Sequence, residues 1–240
     1  YTHTRKAMPS SVRLWGTAFV DSMKDNMRLV SAAAKLVDQC PLGTGAGYGV
    51  PLNLDRKGAA AELGFSRVQQ NPVYAQLSRG KFESTVLHAA TQILYDLNRA
   101  ASDLILFTLP ELGYFRLPQK FTTGSSIMPQ KRNPDVLELV RARYHGVCAR
   151  EAEVKALAGN LISGYHRDLQ LTKEPLMRGL ESARACLVVM ALVFAGLEVD
   201  EERCRAAMSG ELFATAEAYR LVEQGVPFRE AYLAVSKKYD

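Results

Sequence analysis

The sequence predicts an all-α protein: a bundle of long helices with a small helical unit at its C-terminal end. Three observations carry that expectation. First, Phe82 to Thr108 contains neither Gly nor Pro, while Val86, Ala90, Ile93, Leu97, Ala100 and Leu104 recur at alternating steps of four and three. Such a seven-residue apolar repeat marks a helix packed in a left-handed bundle, here about 40 Å long. Second, strand-like alternation is nearly absent. Third, the helical stretches are separated by three loops rich in special residues: Pro41–Asp55, Pro110–Pro134 and Ala158–Lys173.

Taken in chain order, the first long helix is expected over Ser10–Gln39, where Gly16 is the single breaker and Cys40-Pro41 ends the run. Phe82–Thr108 follows. A third helix starts near Pro134 and continues to about Leu157, with Asn133 as its cap, Pro134 as first helical residue and Asp135 complementing the helix dipole. A fourth covers Pro175–Leu197, with Leu176, Leu180, Ala183, Leu187, Met190 and Phe194 on one stripe. Beyond about Asp200 the helices become shorter and more polar. The expected division is therefore residues 1–199 as the central bundle and 200–240 as part of a small C-terminal helical domain. The chain opens at Tyr1 without Met, in what reads as the middle of an ordered region, so a preceding segment is expected.

At 240 residues, 48% hydrophobic and 23% charged, the composition is that of an ordinary soluble globular protein. No uninterrupted apolar run approaches the ~20 residues that cross a bilayer, so no membrane role is expected. The net charge of +5 is spread among 30 Lys and Arg and 25 Asp and Glu with no basic block, which argues against nucleic acid. A mild positive balance also suits a polyanionic small substrate. Cys40, Cys148, Cys186 and Cys204 lie far apart without a CxxC pair. That spacing fits reduced thiols in a cytoplasmic protein and offers no zinc site.

Long loops between rigid helices are where chemistry is sought, and the segment Thr123–Asp135 stands out. It runs from a Gly124-Ser125-Ser126 turn through Lys131 and Asn133 to a helix start. The free amides at a helix N-terminus form an anion site. Lys131 adds a full charge, Asn133 a neutral donor, and the two serines their hydroxyls. The assembly suits a carboxylate substrate, although a solvated Gly-Ser loop is the commoner meaning of such residues singly.

As a whole string, Gly124-Ser125-Ser126-x-Met128-Pro129-x-Lys131-x-Asn133-Pro134 resembles the signature loop of the fumarase/aspartase superfamily. Gln130 and Asp135 make it similar to the argininosuccinate lyase family within it. Three further segments agree in order: Tyr1-Thr2-His3 with Ala7-x-Pro9, Tyr165-His166-Arg167-Asp168-Leu169-Gln170-x-x-Lys173-Glu174, and Gly225-Val226-Pro227-Phe228-Arg229-Glu230-Ala231. The resemblance covers essentially all 240 residues and implies that the family's N-terminal domain is absent from this chain.

It further implies a fumarate-releasing elimination that splits argininosuccinate into arginine and fumarate. Ser125 would be the general base, with Lys131 and Asn133 holding the carboxylate on which charge builds. A serine hydroxyl is so weak an acid that it acts as base only where its alkoxide is stabilised. Lys131 and the loop amides are the local means. His3, oriented by Glu138, would supply the proton to the leaving nitrogen. Thr2, Ser126, Met128, Tyr165, Gln170 and Lys173 match substrate-contact positions. His88, in a bundle helix, is expected to pack rather than react.

Two departures from the family pattern stand out. Thr4-Arg5 follow His3 where the family usually has Leu-Gln. Near the start of the second long helix, Ser78-Arg79-Gly80-Lys81-Phe82 places Gly80 where many members carry an arginine. Arg79 is the expected substrate cation, with Lys81 as the other choice. The resemblance implies no metal and no organic cofactor, and a homotetramer whose sites draw on several subunits. The competing readings are adenylosuccinate lyase or another fumarate-releasing relative, and a non-catalytic, crystallin-like structural protein on the same scaffold.

Overall fold

Helices form where breakers are missing, and they end where breakers return. In the computed structural model, which describes residues 1–239, the long helices are α1 (Val12–Val37), α4 (Lys81–Phe107), α5 (Asp135–Ala158) and α6 (Lys173–Gly196). Short helices α2 (Arg56–Glu62) and α3 (Pro72–Leu77) fill the first connection, each opened by a capping side chain, Asp55 and Asn71. Helices α7 (Glu201–Ala206), α8 (Ala214–Glu223) and α9 (Phe228–Ser236) follow. The all-helical expectation holds, with four two-residue strands added: β1 (Phe115–Arg116), β2 (Thr123–Gly124), β3 (Arg132–Asn133) and β4 (Glu198–Val199). Strands β1 and β4 pair antiparallel, as do β2 and β3.

The chain divides into two compact units. The larger comprises Phe19–Leu106 and Leu117–Leu197; the smaller gathers Tyr1–Ala18, Phe107–Arg116 and the segment from Glu198 onward.

In the larger unit α4 is the helix around which the others pack. Leu87, Leu94, Ala101 and Leu104 are fully buried, and Ala90, Leu97 and Ala100 nearly so. Of the expected seam, Ala90, Leu97, Ala100 and Leu104 are buried but Val86 and Ile93 only half-buried; Leu87, Ala89, Thr91, Leu94, Asp96 and Ala101 are buried as well, because α4 has neighbours on several sides. On the α1 side, Asp96 accepts hydrogen bonds from Ser22 Oγ and Asn26 Nδ2, each at 2.6 Å. Toward α5, Thr91 Oγ1 donates to Glu151 Oε2 at 2.9 Å. The α6 contact is made by close approach, for a Cβ at Gly179 would lie 2.4 Å from Leu87 Cδ2.

That contact corrects the expected stripe on α6. The buried line is Pro175, Gly179, Ala183, Cys186, Met190 and Val193, whereas Leu180, Leu187 and Phe194 are exposed. Small residues let the backbones approach, so the seam follows them rather than the largest side chains. The same helix also bears on the membrane. Arg167–Gly196 is long and apolar enough by length and composition to cross one, with a mean hydropathy of 1.6 over its 18-residue window. Glu181 and Arg184 interrupt the apolar run, which is why counting uninterrupted residues misses it. The packing of α5 along α6 accounts for one face of this helix.

The smaller unit is held by an aromatic cluster. Trp15 meets Phe115 at 5.3 Å between centroids, and Phe107 contacts Tyr1, Trp15, Tyr114 and Phe115 at 5.9–6.2 Å. Asp200 caps α7 by accepting from the Arg203 amide and also accepts from Arg116 at 2.5 Å. Helices α8 and α9 close over Ala218, Ala231 and Val235.

Glu151, like Asp96, is a buried carboxylate of the bundle, accepting from Thr91 and from Lys155 Nζ at 2.6 Å, with His88 Nδ1 at 3.3 Å. Burial works to raise its carboxyl, but the hydrogen bonds from Lys155 and Thr91 and the charges of Lys155 and His88 outweigh it. The carboxyl is therefore held below its ordinary value of 4.5. A depressed carboxyl stabilises the fold above its unfolded value and loses that stabilisation as pH falls through the folded one. Glu151→Gln is expected to flatten the acid limb of the thermal-stability profile below pH 4.5; an unchanged acid limb in calorimetry would show the carboxylate contributes nothing.

Candidate active site

The Thr123–Asp135 segment folds as a hairpin-like loop clipped at its base. Thr123 lies opposite Asn133 and Gly124 opposite Arg132 in the β2–β3 pair. Thr123 Oγ1 also donates to the Asp135 carboxylate in the first turn of α5. Inside the clip are two successive turns. The Ser125 hydroxyl oxygen accepts from the Ile127 and Met128 amides, at 3.2 and 3.1 Å. This is the local side-chain turn that serines favour. Next, the Lys131 amide donates to the Met128 carbonyl at 3.0 Å, closing a four-residue turn with Pro129 at its second position, where its fixed φ fits.

The pairing overturns one expectation. Asn133 does not cap α5, because β3 holds it opposite Thr123. Pro134 occupies the cap position instead, without a side-chain cap bond, and its carbonyl accepts from the Leu137 and Glu138 amides. The helix still begins immediately after the β2–β3 clip, so its N-terminal end, which favours negative charge, adjoins the loop.

Electrostatically, two amide dipoles converge on Ser125 Oγ. An alkoxide there would accept both bonds more strongly than the neutral hydroxyl does, which favours ionisation. The Lys131 side chain has no ion-pair partner among the described residues and is exposed, as are Ser126 and Met128. Ile127 at the tip is 85% exposed, an apolar side chain with nothing over it. Glu138 is exposed in the first turn of α5.

The Tyr165–Lys173 segment lies in the same unit. A 3-10 turn, Arg167–Thr172, precedes α6, and Gln170 Nε2 donates to Tyr165 Oη at 3.0 Å. Tyr165, Gln170 and Lys173 are exposed. Arg79, expected as a substrate cation, is engaged internally: Nε donates to Glu83 Oε1 at 3.0 Å and one terminal nitrogen to the Leu169 carbonyl at 2.8 Å. Lys81 Nζ lies 5.3 Å from the centre of the Tyr74 ring. Sequence reasoning missed Glu83 and Thr172. The i,i+4 spacing from Arg79 signals Glu83, but nothing local distinguishes Thr172.

Thr2 and His3 belong to the smaller unit. Thr2 and Arg5 exchange two backbone hydrogen bonds, 3.0 and 2.8 Å, across a two-residue turn. His3 and Thr4 both adopt left-handed backbone, φ 51° and 58°. Such conformations cost on the order of 1 kcal/mol or more without glycine, and most for β-branched Thr4. The turn is kept in place by its flanks. Tyr1 Oη shares a 2.8 Å hydrogen bond with Tyr114 Oη, and Lys6 Nζ donates to the Ala207 carbonyl at 2.9 Å. Burial, and then the Tyr1 bond, pushes the Tyr114 phenol up to about 12. It therefore stays neutral and able to donate.

Helical bundle and signature loop together define a lyase scaffold of the fumarase/aspartase kind. A family model described as lyase matches residues 1–150, and the chain belongs to that family. Argininosuccinate lyase of Thermotoga neapolitana is 52% identical over 239 residues, covering 100% of this chain and 60% of that protein. The enzyme of that name from Sorangium cellulosum is 52% identical over 236 residues, covering 98% and 55%. The chain thus spans less than two thirds of the length of these relatives. Among solved structures, EDDS lyase in complex with formate superposes with a TM-score of 0.84 at 24% identity, covering 98% of this chain and 47% of that one. Class II fumarase from Schistosoma mansoni gives 0.80 at 17%, covering 98% and 57%. These two likenesses speak for the fold.

Removing the Ser125 hydroxyl leaves two amides without their acceptor. Ser125→Ala is expected to accelerate hydrogen exchange at Ile127 and Met128 while leaving the α5 amides protected. Equal exchange in both proteins would contradict the turn described here.

Proposed function

We propose that the full-length protein is an argininosuccinate lyase, releasing fumarate and arginine by elimination. The observation that carries this reading is the Ser125 oxygen, met by two backbone amides within the signature loop. A serine so placed is the base the reaction needs. As alkoxide it takes the proton from the carbon beside a carboxylate, and the electron pair moves into that carboxylate as a dianionic aci-form. The pair then returns to form the double bond while the carbon–nitrogen bond breaks. Lys131, Asn133 and the start of α5 offset the charge on the carboxylate, the largest electrostatic demand of the sequence.

His3 donates the proton that the departing nitrogen requires, and Glu138 is the carboxylate that the family pattern assigns to it. Thr2, Ser126, Met128, Tyr165, Gln170 and Lys173 surround the remainder of the substrate, and Lys173 answers a second carboxylate. Exposed Ile127 gives the loop an apolar tip that gains by covering a bound ligand, which excludes water and strengthens each of these interactions. The relatives named argininosuccinate lyase, 52% identical to this chain, support the choice of substrate.

The protein works as a homotetramer with sites shared between subunits. Its support is apolar surface in the larger unit: Met177, Val188 and Leu192 on α6, and Val20 and Met27 on α1, are 52–70% exposed. Surface of this kind is covered by partner helices in an assembled protein. The four free cysteines fit a reducing compartment, the cytoplasm.

With the full-length protein, argininosuccinate should give fumarate absorbance and adenylosuccinate should not; the opposite pattern overturns the substrate assignment. Ser125→Ala should lower turnover by at least about a hundredfold with assembly intact, and substantial residual turnover removes the base from Ser125. Val188→Glu should convert the tetramer to smaller species in sedimentation, and an unaltered tetramer would put the interface elsewhere.

A further inference from the structure

We propose that Arg79, Glu83 and Thr172 act together as a positioning device for the Tyr165–Lys173 segment, so that Arg79 serves substrate binding without touching substrate; this rests on the lyase reading above. Glu83 Oε1 accepts from Arg79 Nε at 3.0 Å and lies 3.2 Å from Thr172 Oγ1. Its other oxygen accepts from the Gly80 amide at 2.6 Å, tying the carboxylate to the start of α4. The Leu169 carbonyl receives Arg79 at 2.8 Å and lies 2.9 Å from Thr172 Oγ1. The single hydroxyl proton of Thr172 is thus shared between Leu169 O and Glu83, while its oxygen faces an Arg79 nitrogen at 3.5 Å. The side chains of Arg79 and Glu83 are 30% and 12% exposed, so the pair is screened far less than a surface ion pair.

The geometry of the gripped segment gives this cluster its meaning. In a 3-10 turn residues three apart share a face. Leu169 and Thr172, 4% and 0% exposed, form the inner face held by the cluster. Gln170 and Lys173, also three apart, form the outer face, and Gln170 carries Tyr165 through their hydrogen bond. Holding the inner pair fixes the height and rotation of the outer pair. The cation that the family pattern leads one to seek at a substrate is here one step behind the substrate groups. Lys81, against Tyr74, takes no part in the cluster.

The test uses the full-length protein with argininosuccinate, reading kcat and KM separately, together with thermal midpoints and hydrogen exchange over residues 165–173. Thr172→Val, close to isosteric, should raise KM about tenfold with kcat within about twofold of wild type, and should speed exchange in 165–173 alone. Thr172→Ser, which restores the hydroxyl, should recover KM. Glu83→Gln should reproduce the KM effect and stands in if the valine variant does not fold. An unchanged KM in Thr172→Val or Glu83→Gln overturns the proposal, as does a serine variant no better than valine. If the wild-type protein releases no fumarate, the lyase reading fails by itself. The cluster is then judged by exchange alone, with faster exchange confined to 165–173 supporting it and unchanged exchange overturning it.

Discussion

The larger unit depends on α4 being packed from several directions at once. Apolar burial supplies most of the attraction, but it is indifferent to small rotations and slides of one helix against another. The polar ties remove that freedom. Asp96 must meet Ser22 and Asn26, and Thr91 must meet Glu151, because an unpartnered buried polar group costs about 1–3 kcal/mol. Each tie sets the register of one neighbouring helix. Gly179, pressed against Leu87, sets the distance of another. Once these registers are fixed, the start of α5 and the turn before α6 have defined places, and both candidate substrate segments are attached there.

The signature loop solves a different problem with very short-range means. Ser125 obtains its two amide donors from residues two and three positions onward, so no distant element is needed to activate it. The β2–β3 clip and the Thr123–Asp135 bond then fasten this small assembly to the helix whose N-terminus favours negative charge. Composition follows directly: glycine and serine for the turn, proline to set the next one, and polar residues to satisfy the clip.

Much of this architecture was legible in the sequence because it is periodic or local. The four long helices follow from apolar spacing and from breakers, and their ends fall within a few residues of where Pro and Gly place them. The amide support of Ser125 was foreseen because it lies within four residues. Other features resisted for identifiable reasons. Asn133 is a good capping residue by type, yet pairing with Thr123, ten positions earlier, claimed it for a strand too short to show alternation. On α6 the eye follows leucines, whereas the buried line follows glycine, alanine and cysteine, since closeness of approach decides the seam. The work of Arg79 depends on Thr172, 93 positions away, and no pattern along the chain connects them.

Gly80 carries a steric consequence. Its backbone sits at φ +78°, and any side chain there would begin 2.3 Å from the Ala158 methyl carbon. The arginine that the family resemblance leads one to expect here would therefore be strained in this backbone, whatever space its side chain found. Placing a side chain there would demand a new backbone shape and a vacated neighbour together. Position 80 is thus closed to side chains, and the guanidinium of this stretch is carried by Arg79 instead.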